Sequence, residues 1–373
     1  MPTAPKKRTT PLSIPPMLPS KMKVHYHEMW NHSTSTIEIP EEYRNPFNIS
    51  MEDKYSNARR SLTSLEILQN VLHGKKYKAE FTQVEYYMNT ITKNSNTTLP
   101  VPSCLVPDLT ATRNLAKRVM EARNKKRKRS KLEWTLLLPI LNVGFPKVGS
   151  NTLADYFNCI GIKANHNQDG EGMFRRLSSG RGIYGKDRFY RKKNQAFCQL
   201  DTSTGIGFYP QISLLDELHE EHPHSTLIFN FRPISDWIRS TTNWYGMRSR
   251  FSKFLVPGLV LTPEQLRNNQ EFHSGENKTK FLRLSKIQLA KWWCGHVLHM
   301  REYVREYPSH ALIELDLYDT NGTAALMYDL FRADTDDTYL KEEEEPPSQP
   351  LREEPRESLK QCWGKRNVNS KLL

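Results

Sequence analysis

From Trp134 onward, short apolar runs alternate with segments whose apolar residues recur at helical spacing. Candidate strands cover residues 136–143, 161–164, 196–200, 226–231 and 311–315, and helices are predicted over 151–159, 211–221, 234–244, 286–306 and 324–331. Strands that alternate with helices are typical of strand–helix–strand units built around a parallel sheet. The pattern therefore predicts an α/β fold with three layers, in which a central parallel sheet is flanked by helices.

The N-terminal third of the chain lacks this alternation. Residues 1–24 contain six prolines and a Lys6-Lys7-Arg8 cluster, a composition that buries too little apolar surface to offset the chain entropy. Further on, helical spacing predicts helices over 57–73 and 111–128. We expect a largely disordered basic segment (1–50), a helical appendage (51–133) and a catalytic domain (134–373).

Composition is ordinary for a folded protein, but the charge is uneven. The 373 residues are 37% hydrophobic and carry a net charge of +13. Residues 1–133 hold 23 Lys and Arg against 12 Asp and Glu, whereas residues 134–373 hold 31 against 29. Basic clusters at 125–129 and 175–193 fit either a solvated surface or a surface that binds polyanions.

Neither a membrane span nor a cysteine framework is predicted. No apolar run approaches the roughly 20 residues that a membrane helix needs, and the N-terminus has no apolar signal-peptide core. The five cysteines show no CxxC or metal-ligand spacing, so we expect neither a zinc site nor a disulfide framework. Five glycosylation sequons favour the secretory pathway, and both the Golgi lumen and the cytoplasm stay open: Asn31, Asn48, Asn96, Asn277 and Asn321.

A glycine-bounded loop follows the first candidate strand, with the sequence Gly144-Phe145-Pro146-Lys147-Val148-Gly149-Ser150-Asn151-Thr152. In an open parallel sheet the first strand-to-helix turn is the usual anion site, because backbone amides and the helix dipole face it. Lys147 lies in the middle of the loop, whereas nucleoside-triphosphatase loops place lysine directly after the second glycine. Such a turn also occurs without a ligand, so the loop alone leaves both interpretations open.

A second polar element follows the fourth candidate strand. Arg232 closes that strand, and Ser240 comes eight residues later, about two helical turns along. A guanidinium can bind a phosphate bidentately, and a hydroxyl on the next helix can add a donor. The alternative is that Arg232 is a structural ion-pair partner.

Taken together, the two elements resemble the superfamily of sulfotransferases that depend on 3′-phosphoadenosine 5′-phosphosulfate (PAPS), over roughly residues 134–370. The resemblance implies that Lys147 stabilises charge on the leaving phosphate. It also implies that Gly149, Ser150, Asn151 and Thr152 bind the 5′-phosphate, and that Arg232 and Ser240 bind the 3′-phosphate. Lys365 and Arg366 are similar in position to a basic loop that closes over the nucleotide, and they equally fit a solvated cluster.

The chain departs from the cytosolic members of this family. Their threonine-threonine-tryptophan is replaced by Ser150-Asn151-Thr152-Leu153, and their Thr-His base motif is missing. The chain looks closer to Golgi-type and to algal or microbial members, in which a carboxylate can be the base. Asp201, after the third candidate strand, is the catalytic base candidate, and His166, after the second, is its rival. Either residue also fits an ordinary turn or surface position.

The expected reaction is transfer of a sulfuryl group from PAPS to an acceptor hydroxyl or amine, without a metal. A carbohydrate is the favoured acceptor, and an anionic glycan would suit a cleft lined by residues 175–193. No nucleic-acid partner is expected, and the oligomeric state is open. The alternatives are a non-catalytic polyanion-binding protein and a nucleotide or small-molecule kinase. The sequence supplies no Walker-B partner for the loop, which disfavours the kinase.

Overall fold

The sheet has five short parallel strands in the order β2-β3-β1-β4-β5. They are β1 (Ile140–Asn142), β2 (Ala164–Asn165), β3 (Ala196–Phe197), β4 (Thr226–Phe231) and β5 (Ala311–Asp316). The chain leaves β1 toward β2 and leaves β4 in the opposite direction, toward β5. The carboxyl ends of β1 and β4 therefore flank a topological switch point, where open α/β sheets bind their ligands.

This computed structural model describes residues 62–93, 99–126, 136, 138–166, 183, 195–201, 209–244, 247–253, 256–274, 283–331 and 362–363. The α-helices are α1 (Ser64–His73), α2 (Lys78–Lys93), α3 (Leu109–Lys126), α4 (Ser150–Cys159), α5 (Pro210–Ser213), α6 (Leu215–Glu221), α7 (Ile234–Asn243), α8 (Met247–Lys253), α9 (Pro263–Ser274), α10 (Lys286–Glu306) and α11 (Thr320–Phe331). Within these ranges no helix combines the length and apolar character needed to cross a bilayer.

Helices cover both faces of the sheet, and each face has its own core. Because side chains alternate along a strand, Phe229 and Phe231 of β4 enter one core with Trp293 of α10, whereas Ile228 enters the other with Phe157 of α4. The α/β prediction is confirmed at this level: a parallel sheet lies between layers of helices.

The described N-terminal helices pack into these same cores. Ile67 of α1 and Val84 of α2 join the first core, and Ala116 of α3 joins the second. Ser61–Leu373 is one compact unit. The described part of the predicted appendage is therefore continuous with the sheet layers, and residues 1–50 lie outside the described residues.

A buried ion pair fixes the connection between α2 and α3. Arg301 of α10 donates from Nε and Nη2 to the two carboxylate oxygens of Glu314, each at 2.7 Å, and the Asp108 backbone N–H donates to the same carboxylate at 2.6 Å. Glu314 is only 4% exposed, so these donors replace the water that the charge has lost.

Most helix predictions are confirmed, and the differences have local causes. The predicted helix 211–221 is broken at Leu214 into α5 and α6. The first strand begins only at Ile140, because Pro139 has no N–H for the sheet ladder, although its carbonyl accepts the Thr226 N–H at 3.1 Å. The helices α2, α8 and α9 were not predicted.

The expectation of no disulfide framework is wrong. Cys104 is bonded to Cys294 and Cys159 to Cys362, and Cys198 is the unpaired fifth cysteine. The partners are separated by 190 and 203 residues, so no local spacing signals the pairing.

Candidate functional site

The glycine-bounded loop leaves β1 and enters α4 through two left-handed residues. Lys147 has φ 70° and Gly149, the N-cap of α4, has φ 85°. At Gly149 an added Cβ would lie 2.7 Å from Leu317 Cδ1, so a side chain here would require the Leu317 side chain to shift. A left-handed lysine is strained, and backbone strain of this kind concentrates at functional sites.

Side chains from three elements hold the loop backbone. Asn142 Oδ1 accepts the Gly144 N–H at 3.1 Å, and Gln211 Nε2 donates to the Gly144 carbonyl at 3.4 Å. His296 Nε2 lies 2.8 Å from the Val143 carbonyl oxygen, which can only accept, so Nε2 carries the hydrogen. Burial lowers the pKa of His296 to about 4, so the imidazole is neutral at neutral pH.

Aromatic packing fixes the middle of the loop. Phe145 is buried, and its ring centroid lies 4.5 Å from that of Trp292 and 5.3 Å from that of Trp237. Trp237 Nε1 also donates to the Pro146 carbonyl at 2.9 Å. The loop is therefore attached to α7 and α10 as well as to the sheet.

Arg232, at the carboxyl end of β4, contacts the same loop. Its Nη1 donates to the Lys147 carbonyl at 3.3 Å, and its buried Nε has no hydrogen-bond partner. None of the ion pairs formed between described residues involves Arg232.

The Lys147 side chain packs against an aromatic ring. Its Nζ lies 3.5 Å from the ring centroid of Trp244, a cation–π contact at the end of α7. Burial lowers the pKa of Lys147, the positive charge of Arg232 lowers it further, and the negative charge of Asp201 opposes both. Two cations and one carboxylate are therefore electrostatically coupled at this site.

Asp201 and His166 reach the same region from the neighbouring strands. Asp201 follows β3 and is 5% exposed; burial raises its pKa to about 6, opposed by hydrogen bonds and by the charge of Lys147. His166 follows β2, and its Nε2 lies 3.0 Å from Ser150 Oγ. Burial lowers the pKa of His166, the charge of Lys147 lowers it further, and Asp155 opposes both.

The remaining predicted site residues lie in the first turn of α4, on α7 and in the last ten residues of the chain. Asn151 is exposed and Thr152 is buried, both in the first turn of α4. Ser240 is half-buried in the second turn of α7, and no hydrogen bond between described residues joins its hydroxyl to Arg232. Lys365 and Arg366 lie outside the described residues, as do all of 175–193 except Ile183.

The sequence did not single out the polar residues beneath the loop. Asn142 ends β1 and Asn230 lies near the end of β4, and both strands are fully buried and mostly apolar. A polar residue in such a strand is a signal that the sequence carries, because buried polar groups need hydrogen-bond partners. Asn230 is 1% exposed and neither its Oδ1 nor its Nδ2 has a partner. Its backbone N lies 3.5 Å from where a Gly144 Cβ would be, so the amide is beside the loop.

Comparisons with protein-family models, with curated proteins and with solved structures found no match. Among the described residues, no group of three or more His, Cys, Asp or Glu side chains is arranged to hold a metal ion.

Proposed function

We propose that this chain is a PAPS-dependent sulfotransferase with a P-loop-like fold. The observation that carries the proposal is the hydrogen bond from Arg232 Nη1 to the Lys147 carbonyl, at 3.3 Å. It joins two elements that are 85 residues apart in the chain, and it does so at the switch point of the sheet. A ligand phosphorylated at both its 5′ and 3′ ends needs two such elements side by side.

The charges support an anionic ligand. Arg232 lowers the pKa of Lys147, which means that each cation raises the energy of the other. A bound phosphate or sulfate would relieve that repulsion and would give the buried Arg232 Nε an acceptor. Gly149, Ser150, Asn151 and Thr152 would then hold the 5′-phosphate, with Arg232 and Ser240 at the 3′-phosphate.

In the proposed reaction an acceptor oxygen or nitrogen forms a bond to sulfur while the bond from sulfur to the bridging phosphate oxygen breaks. The electron pair stays on that oxygen, and the leaving group is 3′-phosphoadenosine 5′-phosphate. Lys147 would stabilise the negative charge that develops there, an interaction stronger in the transition state than in the bound substrate.

Asp201 is the better candidate for the acceptor's proton. A pKa of about 6 leaves it ionised at neutral pH, yet more basic than an ordinary carboxylate. His166 Nε2 is engaged with Ser150 Oγ, which suits a residue that positions the loop hydroxyl. We assign Asp201 as the base and His166 as its rival.

Nucleotide titration tests the proposal. Calorimetry with 3′-phosphoadenosine 5′-phosphate should show binding that ATP does not match, and R232A should weaken it. R239A is the matched control, because Arg239 is exposed on α7, the helix that begins just after Arg232, and pairs with Asp236 at 2.6 Å. Equal affinity for ATP, or an R232A variant that binds like R239A, would refute the assignment.

Turnover separates Lys147 from the binding residues. K147A should abolish sulfuryl transfer from PAPS while retaining much of the nucleotide affinity, and K163A, at an exposed lysine just after α4, should behave as wild type. An acceptor panel of neutral and anionic glycans, tyrosine peptides and small hydroxyl compounds would identify the substrate; a carbohydrate is the acceptor we propose.

The alternatives predict other results. A polyanion-binding protein would bind heparin or nucleic acid in a strongly salt-dependent way that survives K147A. A kinase would consume ATP in the presence of magnesium. The basic cluster 175–193, on which the first alternative depends, lies outside the described residues except for Ile183.

A further inference from the structure

Two disulfides connect distant parts of this fold. Cys104 and Cys294 are both fully buried, and they join the segment before α3 to the middle of α10. Cys159 at the end of α4 is bonded to Cys362, whose neighbour Trp363 is buried against Tyr156. Disulfides of this kind persist in oxidising compartments and are rare where glutathione keeps thiols reduced.

The fifth cysteine does not compete with this pairing. Cys198 is 1% exposed, and burial raises the pKa of its thiol. Thiol–disulfide exchange needs an accessible thiolate, so Cys198 is inert toward the two bonds. A chain with four paired cysteines and one buried thiol is suited to folding in an oxidising compartment.

A sequon lies in a suitable place on the same fold. Asn321 is exposed in the first turn of α11, at the edge of the sheet beside β5. Its sequon partner Thr323 is 2% exposed and donates from Oγ1 to the Asp316 carbonyl at 2.6 Å. The folded chain therefore leaves room for a group on Asn321 but hides the hydroxyl that defines the sequon, so attachment would precede folding of this segment.

We propose that the chain matures in the oxidising lumen of the secretory pathway and carries an N-linked oligosaccharide on Asn321. The side-chain nitrogen of Asn321 bonds to the anomeric carbon of an oligosaccharide, the bond from that carbon to a lipid-linked diphosphate breaks, and the nitrogen loses one proton. Each disulfide forms as two thiols give two protons and two electrons to the disulfide of a thiol oxidoreductase, which becomes a dithiol.

Protein from the cells that naturally express it tests both parts, provided that free thiols are alkylated in denaturant at the moment of lysis, so that the reagent also reaches buried thiols. We expect Cys104, Cys159, Cys294 and Cys362 to escape alkylation until they are reduced. We also expect peptide-N-glycosidase in heavy-oxygen water to convert Asn321 to labelled aspartate. Prior alkylation of Cys104 and Cys294, or an Asn321 peptide wholly unmodified, would overturn the proposal.

Two variants produced in a secretory host serve as a matched pair. N321Q should lose the mass of one glycan, whereas T323S, which keeps both the sequon and a hydroxyl for the Asp316 carbonyl, should retain it. If deglycosylation removes the same mass from N321Q as from T323S, Asn321 carries no glycan and the proposal fails. None of these readouts requires turnover, so their outcome is separate from that of the proposed sulfotransferase reaction.

Discussion

Replacing Gly149 by alanine should damage the loop more than the same change at a matched glycine. Gly149 and Gly161 flank α4 with nearly equal φ values, 85° and 84°. A left-handed alanine costs roughly 1–2 kcal/mol at either position. Only at Gly149 does the new Cβ meet another side chain, because Leu317 Cδ1 and Cδ2 would lie 2.7 and 2.8 Å away, whereas nothing lies within 4 Å at Gly161.

The clash adds about 1–3 kcal/mol, the usual cost of overpacking. We therefore expect G149A to lower the free energy of unfolding by about 2–5 kcal/mol and G161A by about 1–2 kcal/mol. Urea denaturation with the disulfides intact measures both. Calorimetry with 3′-phosphoadenosine 5′-phosphate, the ligand of the proposed function, should show that only G149A weakens binding.

A third substitution isolates the cause. In an L317A background the clash partner is gone, so G149A should cost no more than G161A does in the wild type. If G149A and G161A are equally destabilising, or if the excess cost persists without the Leu317 side chain, the steric explanation of this glycine is refuted.

Three further predictions concern other parts of the molecule. Because burial raises the pKa of Asp201 from 3.8 to about 6, the folded state holds this proton more tightly than the unfolded state. Stability should then fall as pH rises between these values, and D201N should remove this dependence in urea titrations. For the proposed sulfuryl transfer, kcat/KM of the wild type should rise through about pH 6, and D201N should abolish turnover. Serine at both Cys104 and Cys294 should cost about 2–5 kcal/mol in thermal unfolding, and a loss that reducing agent fails to reproduce in the wild type would contradict this. Glu314→Gln should cost about 3–5 kcal/mol because it leaves Arg301 charged and buried, and adding Arg301→Met should recover part of that loss in a double-mutant cycle.

Sequence patterns predicted the parts of the fold whose signal is continuous along the chain. β4 and α10 were predicted at their observed boundaries, because β4 is a short, mostly apolar run and α10 is a long segment without a proline. The helix α2 was missed because its fully buried positions, such as Val84 and Met88, are few among polar residues. The disulfides depend on three-dimensional proximity across about 200 residues, which no local pattern encodes.

The candidate site likewise combines features that have a local sequence signal with features that arise only from tertiary packing. The loop and Arg232 each carry a local signature, and their contact follows from the parallel order of the strands. The placement of the Lys147 ammonium over Trp244 does not follow from either signature, because it depends on where α7 ends. The hydrogen bonds from Gln211 to the Gly144 carbonyl and from His296 to the Val143 carbonyl also depend on tertiary packing.

The hydrogen bond from Trp237 to the Pro146 carbonyl joins the two polar elements of the candidate site to each other. One element is the loop with Lys147. The other is the carboxyl end of β4 with Arg232, together with α7, which carries Ser240. Trp237 belongs to α7 and donates to the loop at 2.9 Å, so a direct contact sets the separation of the two elements in this structure. Under the proposed function, this separation would favour a ligand whose two charged groups are spaced to reach both elements.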